Sequence, residues 1–92
     1  MRRAEVWWAD LPEPVKSRPV VLLTRNAVIG SIGSIVVGLV TRTVRNLPTE
    51  VALGRQEGLP KPCVLNLDNI LTVPRQRLVR RMGALGAGRI AE

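Results

Sequence analysis

The side chains that could do chemistry in this chain collect in three segments where polar residues adjoin an apolar run. These are residues 16–21 (KSRPVV), 37–43 (VGLVTRT) and 66–73 (NLDNILTV). The apolar parts are typical of buried strands, and polar groups at the ends of such strands are held in fixed positions. The three segments are therefore the first candidates for a functional site.

The residue types exclude several kinds of enzyme. The chain has no histidine, and Cys63 is its one cysteine. Nucleases that use histidine, Ser-His-Asp hydrolases, Cys-His proteases and ordinary zinc sites are therefore excluded. Catalysis would have to use arginine, lysine, threonine, serine or one of the seven carboxylates.

The elements that must position these groups are short strands. Apolar patterning and turn residues predict strands over 6–10, 20–24, 35–41, 49–53, 63–67, 70–73 and 79–85, with 63–67 and 70–73 joined or continuous. Loops are predicted over 11–17, 26–34 and 54–62, a helical turn over 74–78, and the start of a helix over 86–92. Tyrosine and phenylalanine are absent, so the core is built from valine, leucine and isoleucine. Six or seven such strands in 92 residues predict a compact β-barrel or strongly bent sheet in a single domain, 1–92.

The charge of the chain points to a polyanionic partner. The net charge is +7, with 14 basic and 7 acidic residues. A merely soluble basic protein is the alternative, and charge alone does not separate RNA, DNA, a membrane surface or an acidic protein. Cys63 has no partner for an intramolecular disulfide, and the longest uncharged run, 26–41, is too short to span a membrane. We therefore expect a cytoplasmic protein.

Five short motifs resemble those of the MazF/PemK family of toxin endoribonucleases. They are residues 3–7 (RAEVW), 18–22 (RPVVL), 39–41 (LVT), 48–51 (PTEV) and 68–73 (DNILTV). The resemblance runs from about Arg3 to Leu85, in the family's order and spacing. It implies a mostly β fold, an SH3-like barrel of the MazF/PemK/CcdB type with short helical segments and a C-terminal helix.

The resemblance also implies an activity and partners. A toxin of this kind cleaves single-stranded RNA (mRNA, tRNA or rRNA) at particular sequences and so inhibits translation and growth. The 2′-hydroxyl of the RNA attacks the adjacent phosphate and leaves a 2′,3′-cyclic phosphate, with no metal and no cofactor. A homodimer and inhibition by a cognate MazE-like antitoxin are implied as well.

The family's catalytic arginine falls on Arg18 and its catalytic threonine on Thr41. Arg18 would neutralise charge on the phosphorane oxygens. This role is favoured over donation of a proton to the leaving oxygen, because a guanidinium is a poor acid. Thr41 can supply only a neutral hydrogen bond. Glu13, five positions before Arg18, is a candidate general base, and a solvated loop carboxylate is the alternative interpretation.

RNA binding is expected from Arg42, Thr43, Asp68 and Asn69. Asn69 stands where the family often has glutamine, and its amide can pair with a base edge as donor and acceptor. A bulge or turn residue is the alternative for Asn69, and a generic phosphate-attracting surface is the alternative for Arg42 and Arg45. Trp7 and Trp8 face opposite sides of a strand, so one packs in the core. The other could stack on a base, with dimer or core packing as the alternative.

The chain departs from the family pattern at three places. Ala4 replaces a glycine, and the proline before Leu-Thr is missing. The chain ends at Glu92, which leaves about two helical turns and predicts a truncated C-terminal helix and a weaker dimer.

Three other functions remain as alternatives. A gyrase poison of the CcdB type would need a C-terminal Trp-Gly-Ile, a non-catalytic nucleic-acid-binding module would not need Arg18 and Thr41, and a DNA-binding antitoxin would need a helix-turn-helix or ribbon signature.

Overall fold

The protein is a single antiparallel sheet with very little helix. The computed structural model describes residues 1–86. Its strands are β1 Glu5–Ala9, β2 Arg18–Leu22, β3 Ser34–Thr41, β4 Glu50–Leu53, β5 Cys63–Pro74 and β6 Leu78–Ala84, and they lie side by side in the order β4-β5-β3-β2-β1-β6. One short helix, α1 (Asn26–Ile29), and two single-turn 3-10 helices, Arg55–Glu57 and Arg75–Arg77, complete the described part. Within that part, no helix is long and apolar enough to cross a membrane.

The predicted mostly β architecture is confirmed, with two differences in detail. The segment 26–34, predicted as a loop, begins with α1. This turn forms because Ile29 is buried in the core, and it ends at Gly30. The predicted loop 54–62 contains the 3-10 helix Arg55–Glu57. The segments 63–67 and 70–73 are one continuous strand, as one of the two predicted arrangements has it. Apart from Gly86, the predicted C-terminal helix over 86–92 lies outside the described residues.

The central strands bury both of their faces. Along β2, Val20 and Leu22 pack into one apolar cluster, whereas Val21 packs into another. This alternation is what an apolar run such as 20–24 predicts when a strand has a core on each side. The core lies on both sides of β2 and β3 and makes these two strands the rigid base of the fold.

The two edges of the sheet approach each other through a glycine contact. The 3-10 helix Arg55–Glu57 follows β4 and packs on β6. Gly58 has a left-handed φ of 89°, and a Cβ atom there would overlap the carbonyl oxygen of Met82. Gly83 meets the backbone of Glu57 just as closely. Glycine is needed at both positions because two backbones touch there, and this contact bends the sheet towards a barrel.

A bulge interrupts the pairing of β3 with β5. Gly38 pairs with Ile70, but its neighbour Leu39 pairs with Asn66. Residues 67–69 therefore have no partner on β3, and all three are exposed. The bulge displays Asp68 and Asn69 beside the end of β3.

Candidate active site

Strand register brings the predicted catalytic residues together. β2 and β3 are antiparallel, and Val20 pairs with Leu39. Arg18 begins β2 and Thr41 ends β3, each two residues further out along its strand. Because side chains alternate along a strand, both point to the face that carries Val20 and Leu39. The pairing of Leu39 with Asn66, and of Asn66 with Glu50, extends this face across β5 to β4.

These residues enclose a cavity, which we name the strand-end pocket. Its volume is about 150 Å³. It is lined by Arg18, Leu39, Thr41, Thr43, Arg45, Glu50, Asn66 and Asn69. Four residues predicted from the sequence, Arg18, Thr41, Thr43 and Asn69, thus share one pocket. The bulge in β5 is what places Asn69 there, so the two interpretations of this residue are compatible.

A second and wider cavity, the loop-side groove, continues from the first. It has a volume of about 350 Å³ and is lined by Lys16, Ser17, Arg18, Pro19, Val40, Thr41, Arg42, Thr43 and Cys63. Arg18, Thr41 and Thr43 belong to both cavities, so a bound chain could pass from one to the other across these side chains. The lining carries four cationic side chains and one carboxylate, that of Glu50, which favours a polyanion.

Arg18 is held by the loop that precedes it. Its Nε and Nη2 atoms donate hydrogen bonds to the carbonyl oxygen of Val15 at 3.1 and 2.6 Å. The loop is itself tied down, because Lys16 N donates to Pro12 O and Ser17 Oγ donates to Asp10. A guanidinium has five N–H donors, so a fixed Arg18 keeps donors for a phosphate.

Thr41 is oriented by a bond at its oxygen. The backbone N–H of Thr43 donates to Thr41 Oγ1 at 3.2 Å. This contact uses the hydroxyl as an acceptor and leaves its hydrogen free to donate. Thr41 can therefore offer one neutral hydrogen bond beside the Arg18 guanidinium.

Glu13 and Asp68 lie apart from this arrangement. Glu13 is exposed in the loop before β2 and lines neither cavity. Asp68 is also outside both linings and accepts a hydrogen bond of 2.7 Å from Thr49 Oγ1. The proposed roles of Glu13 as general base and of Asp68 in RNA binding remain predictions.

The two tryptophans lie on opposite faces of β1. Trp7 packs against the first core cluster, and the half-buried Trp8 lies opposite Pro19 on the other face.

Two polar residues of the strand-end pocket, Glu50 and Asn66, had no role assigned from the sequence. Asn66 and Glu50 were visible only as parts of the motifs 66–73 and 48–51. The signal that would have found them is the β4–β5 register, because it sets Glu50 opposite Asn66 and Asn66 opposite Leu39.

Several side chains in the two cavities have no hydrogen-bond partner among the described residues. Over residues 1–86, the side chains of Arg42, Arg45 and Asn69 make no hydrogen bond or ion pair with the protein. All three side chains are exposed, so their donors face solvent and can be reached by a ligand that enters either cavity. In the same range, His, Cys, Asp and Glu side chains form no cluster of three that could hold a metal ion.

Residues 2–92 match the model of the family described as "PemK-like, MazF-like toxin of type II toxin-antitoxin system". The chain belongs to this family. The PemK-like, MazF-like assignment confirms the family predicted from the five motifs, and with it the SH3-like barrel class and the class of toxin endoribonucleases.

Individual relatives agree with the PemK-like, MazF-like assignment. The probable endoribonuclease MazF2 of Mycobacterium tuberculosis is 44% identical over all of this chain and 89% of its own length. The solved M. tuberculosis toxin MazF-mt6 is 38% identical with a TM-score of 0.85, over 92% of this chain and 83% of that one. A mycobacterial endoribonuclease solved in complex with its cognate antitoxin is 29% identical with a TM-score of 0.82, over 95% and 81% of the two chains.

Proposed function

We propose that this toxin cleaves single-stranded RNA at particular sequences without a metal ion, and that the reaction takes place where the strand-end pocket meets the loop-side groove. The observation that carries the proposal is the position of Arg18 and Thr41. They stand at adjoining strand ends, on one face, within a cleft rich in cationic side chains.

The reaction would be an internal transesterification. The 2′-oxygen of a ribose bonds to the adjacent phosphorus, the bond from phosphorus to the 5′-oxygen breaks, and the proton of the 2′-hydroxyl is lost while the leaving 5′-oxygen gains one. The products are a 2′,3′-cyclic phosphate and a 5′-hydroxyl. Arg18 stabilises the charge that develops on the non-bridging oxygens, and Thr41 adds a neutral hydrogen bond. The proton is not assigned to Arg18, because a guanidinium stays protonated at any working pH.

The substrate follows from the same geometry. An RNA strand carries the 2′-hydroxyl that this reaction needs, and its bases are accessible only when unpaired. The guanidinium of Arg42 and the hydroxyl of Thr43 suit the phosphate backbone. The unoccupied amide of Asn69 suits a base edge, which would make cleavage sequence-specific. Cleavage of mRNA, tRNA or rRNA would inhibit translation and growth in the cytoplasm.

Inhibition would come from a MazE-like antitoxin. A partly disordered acidic segment fits a cleft lined by Lys16, Arg18, Arg42 and Arg45 and would exclude RNA from it. The mycobacterial relative solved with its cognate antitoxin supports such a partner. An antitoxin-bound toxin that kept full activity would contradict this part.

The toxin is expected to be a homodimer. A domain of this size has a small core, and dimerisation buries more apolar surface. Sedimentation of the purified toxin would measure its oligomeric state.

The proposal is tested with purified toxin and a long unstructured RNA in excess EDTA. We expect cleavage to continue, with 2′,3′-cyclic phosphate and 5′-hydroxyl ends. Loss of cleavage on addition of EDTA, or products with 3′-hydroxyl and 5′-phosphate ends, would contradict the metal-independent reaction. Absence of cleavage in any buffer would contradict the ribonuclease itself.

A further inference from the structure

The carboxylate of Glu50 lies in a pocket with two arginines and pairs with neither. Glu50, Arg18 and Arg45 all line the strand-end pocket. Within residues 1–86, however, the one ion pair with an N–O distance of 4 Å or less joins Arg81 to Glu5. Glu50 therefore leaves the guanidinium of Arg18 available for a phosphate, although a carboxylate and a guanidinium attract each other strongly at short range.

Glu50 is directed at the backbone of the loop between β3 and β4 instead. Its Oε1 and Oε2 atoms accept hydrogen bonds from Arg45 N at 3.0 and 3.2 Å, and Oε1 lies 3.4 Å from Leu47 N. The N–H of Glu50 itself donates to Leu47 O at 3.0 Å. Hydrogen bonds from backbone N–H groups to a carboxylate are among the stronger ones in proteins.

The residue between these two donors has an uncommon conformation. Asn46 has a φ of 58°, in the left-handed region that non-glycine residues seldom adopt. Asparagine tolerates this region better than most residues, but the turn still has to be held by its surroundings. Glu50 binds the N–H groups on both sides of Asn46 and so fixes the turn 45–47.

We propose that Glu50 is a positioning residue that sets the nucleotide preference of the strand-end pocket. It does so by holding turn 45–47, which carries the Arg45 side chain of the pocket lining. Asn69 on the β5 bulge lines the same pocket, so the position of this turn decides where the Arg45 side chain lies relative to a base bound at Asn69. This inference rests on the proposed ribonuclease function and concerns which base is accepted, not how the bond is broken.

The chain offers a matched control in Glu57. Its Oε1 atom accepts a hydrogen bond of 2.7 Å from Gly54 N, so it too ties a carboxylate to the backbone of its own loop. Glu57 is buried on the 3-10 helix Arg55–Glu57 and lines neither cavity. Replacement of either glutamate removes a loop-fixing carboxylate, but only Glu50 is at the pocket.

The experiment compares cleavage of two short RNAs by the wild type, Glu50→Ala, Glu50→Gln, Glu57→Ala and Glu57→Gln. One RNA contains the preferred cleavage sequence, mapped on a long transcript, and the other the next-best sequence. We expect the ratio of their kcat/KM values to fall about tenfold in Glu50→Ala. Glu50→Gln keeps one acceptor oxygen and is expected to lie between. The Glu57 variants should lower the Tm and keep the ratio of the wild type.

Two results would overturn the inference. An unchanged ratio in Glu50→Ala would mean that the carboxylate has no influence on base preference, and Glu50→Gln decides the matter in the same way if the alanine variant does not fold. A loss of kcat of about 10²-fold or more for both RNAs alike, equal in Glu50→Gln and Glu50→Ala, would make Glu50 a proton carrier instead. If the wild type cleaves neither RNA, the proposed ribonuclease function is wrong. This outcome is distinct from failure of the Glu50 inference, which requires a wild type that cleaves.

Discussion

Two polar regions of the molecule differ in how far their hydrogen bonds are satisfied within the protein. At the corner where β1 meets β6, Glu5 accepts hydrogen bonds from Arg2 N, Trp7 Nε1 and Arg81 Nε at 3.0, 2.9 and 3.0 Å. Burial raises the pKa of Glu5, but the hydrogen bonds from Trp7, Arg2 and Arg81 and the charge of Arg81 outweigh it, so the pKa lies below its ordinary value of 4.5.

The strand-end pocket is the opposite case. Its cationic and amide side chains Arg45 and Asn69 make no hydrogen bond or ion pair with residues 1–86, and its carboxylate, Glu50, is directed at the backbone. At the corner the polar groups bond to one another and stabilise the sheet, whereas the pocket has exposed donors on Arg45 and Asn69 that a ligand can reach. Polar residues of the corner stabilise the fold and polar residues of the pocket bind, and each of the following substitutions tests one of these two roles.

Of the three substitutions Thr41→Val, Glu5→Gln and Arg45→Ala, the largest effect is expected from Thr41→Val. Valine keeps the β-branched shape that suits the end of β3 and removes only the hydroxyl. Loss of one neutral donor to the transition state should lower kcat about 10²-fold with little change in KM or Tm. Single-turnover cleavage and a thermal melt check this. A variant with normal kcat would remove Thr41 from the reaction.

A smaller effect, on stability alone, is expected from Glu5→Gln. A lowered pKa in the folded protein means that the ionised carboxylate stabilises the fold above the ordinary pKa of 4.5, and that this contribution is lost as the pH falls through the folded value. The Tm of the variant should be about 4–8 °C below that of the wild type at pH 7, for a contribution of about 1 kcal/mol. The difference in Tm between the variant and the wild type should shrink as the pH falls below 4.5, because the carboxylate of Glu5 becomes protonated there. A gap that stays constant with pH would contradict the account of this corner.

The smallest effect is expected from Arg45→Ala. If Arg45 meets one phosphate, the slope of log binding constant against log salt should become less steep by about 0.7, the value for one contact on a single strand. The binding of a non-cleavable RNA at several salt concentrations measures it. Arg55→Ala makes the same change of charge on an exposed residue outside both cavities and should leave the slope as it is.

The sequence predicted the parts of the fold that local patterning determines. The runs 20–24 and 35–41 are apolar on both faces, and this alone marks them as the central strands β2 and β3. Because β2 begins at Arg18 and β3 ends at Thr41, the side chains of Arg18 and Thr41 become neighbours once the two strands pair. Helix α1 was missed because four residues, Asn26–Ile29, are too few to show a helical period.

The parts that could not be predicted depend on pairing between distant strands. The β5 bulge exists only relative to β3, where Leu39 pairs with Asn66 and Gly38 with Ile70. Glu50 reaches the pocket because of the β4–β5 register, which leaves no local pattern in the sequence. The run Asn46-Leu47-Pro48 does indicate a turn, but it does not show that Glu50 holds this turn. The family motif 48–51 marked the position of Glu50 without showing what its carboxylate binds.

The most direct test of the central claim compares two arginines, one from each region. Arg18→Ala and Arg81→Ala remove the same group, from the pocket and from the corner. On one RNA under single-turnover conditions, at a temperature where both variants are folded, we predict that Arg18→Ala lowers the cleavage rate about 10³-fold; its Tm also falls, because the hydrogen bonds to Val15 O are lost. Arg81→Ala should lower the Tm and leave the rate close to that of the wild type. An Arg18→Ala variant that cleaves as fast as Arg81→Ala would contradict the account.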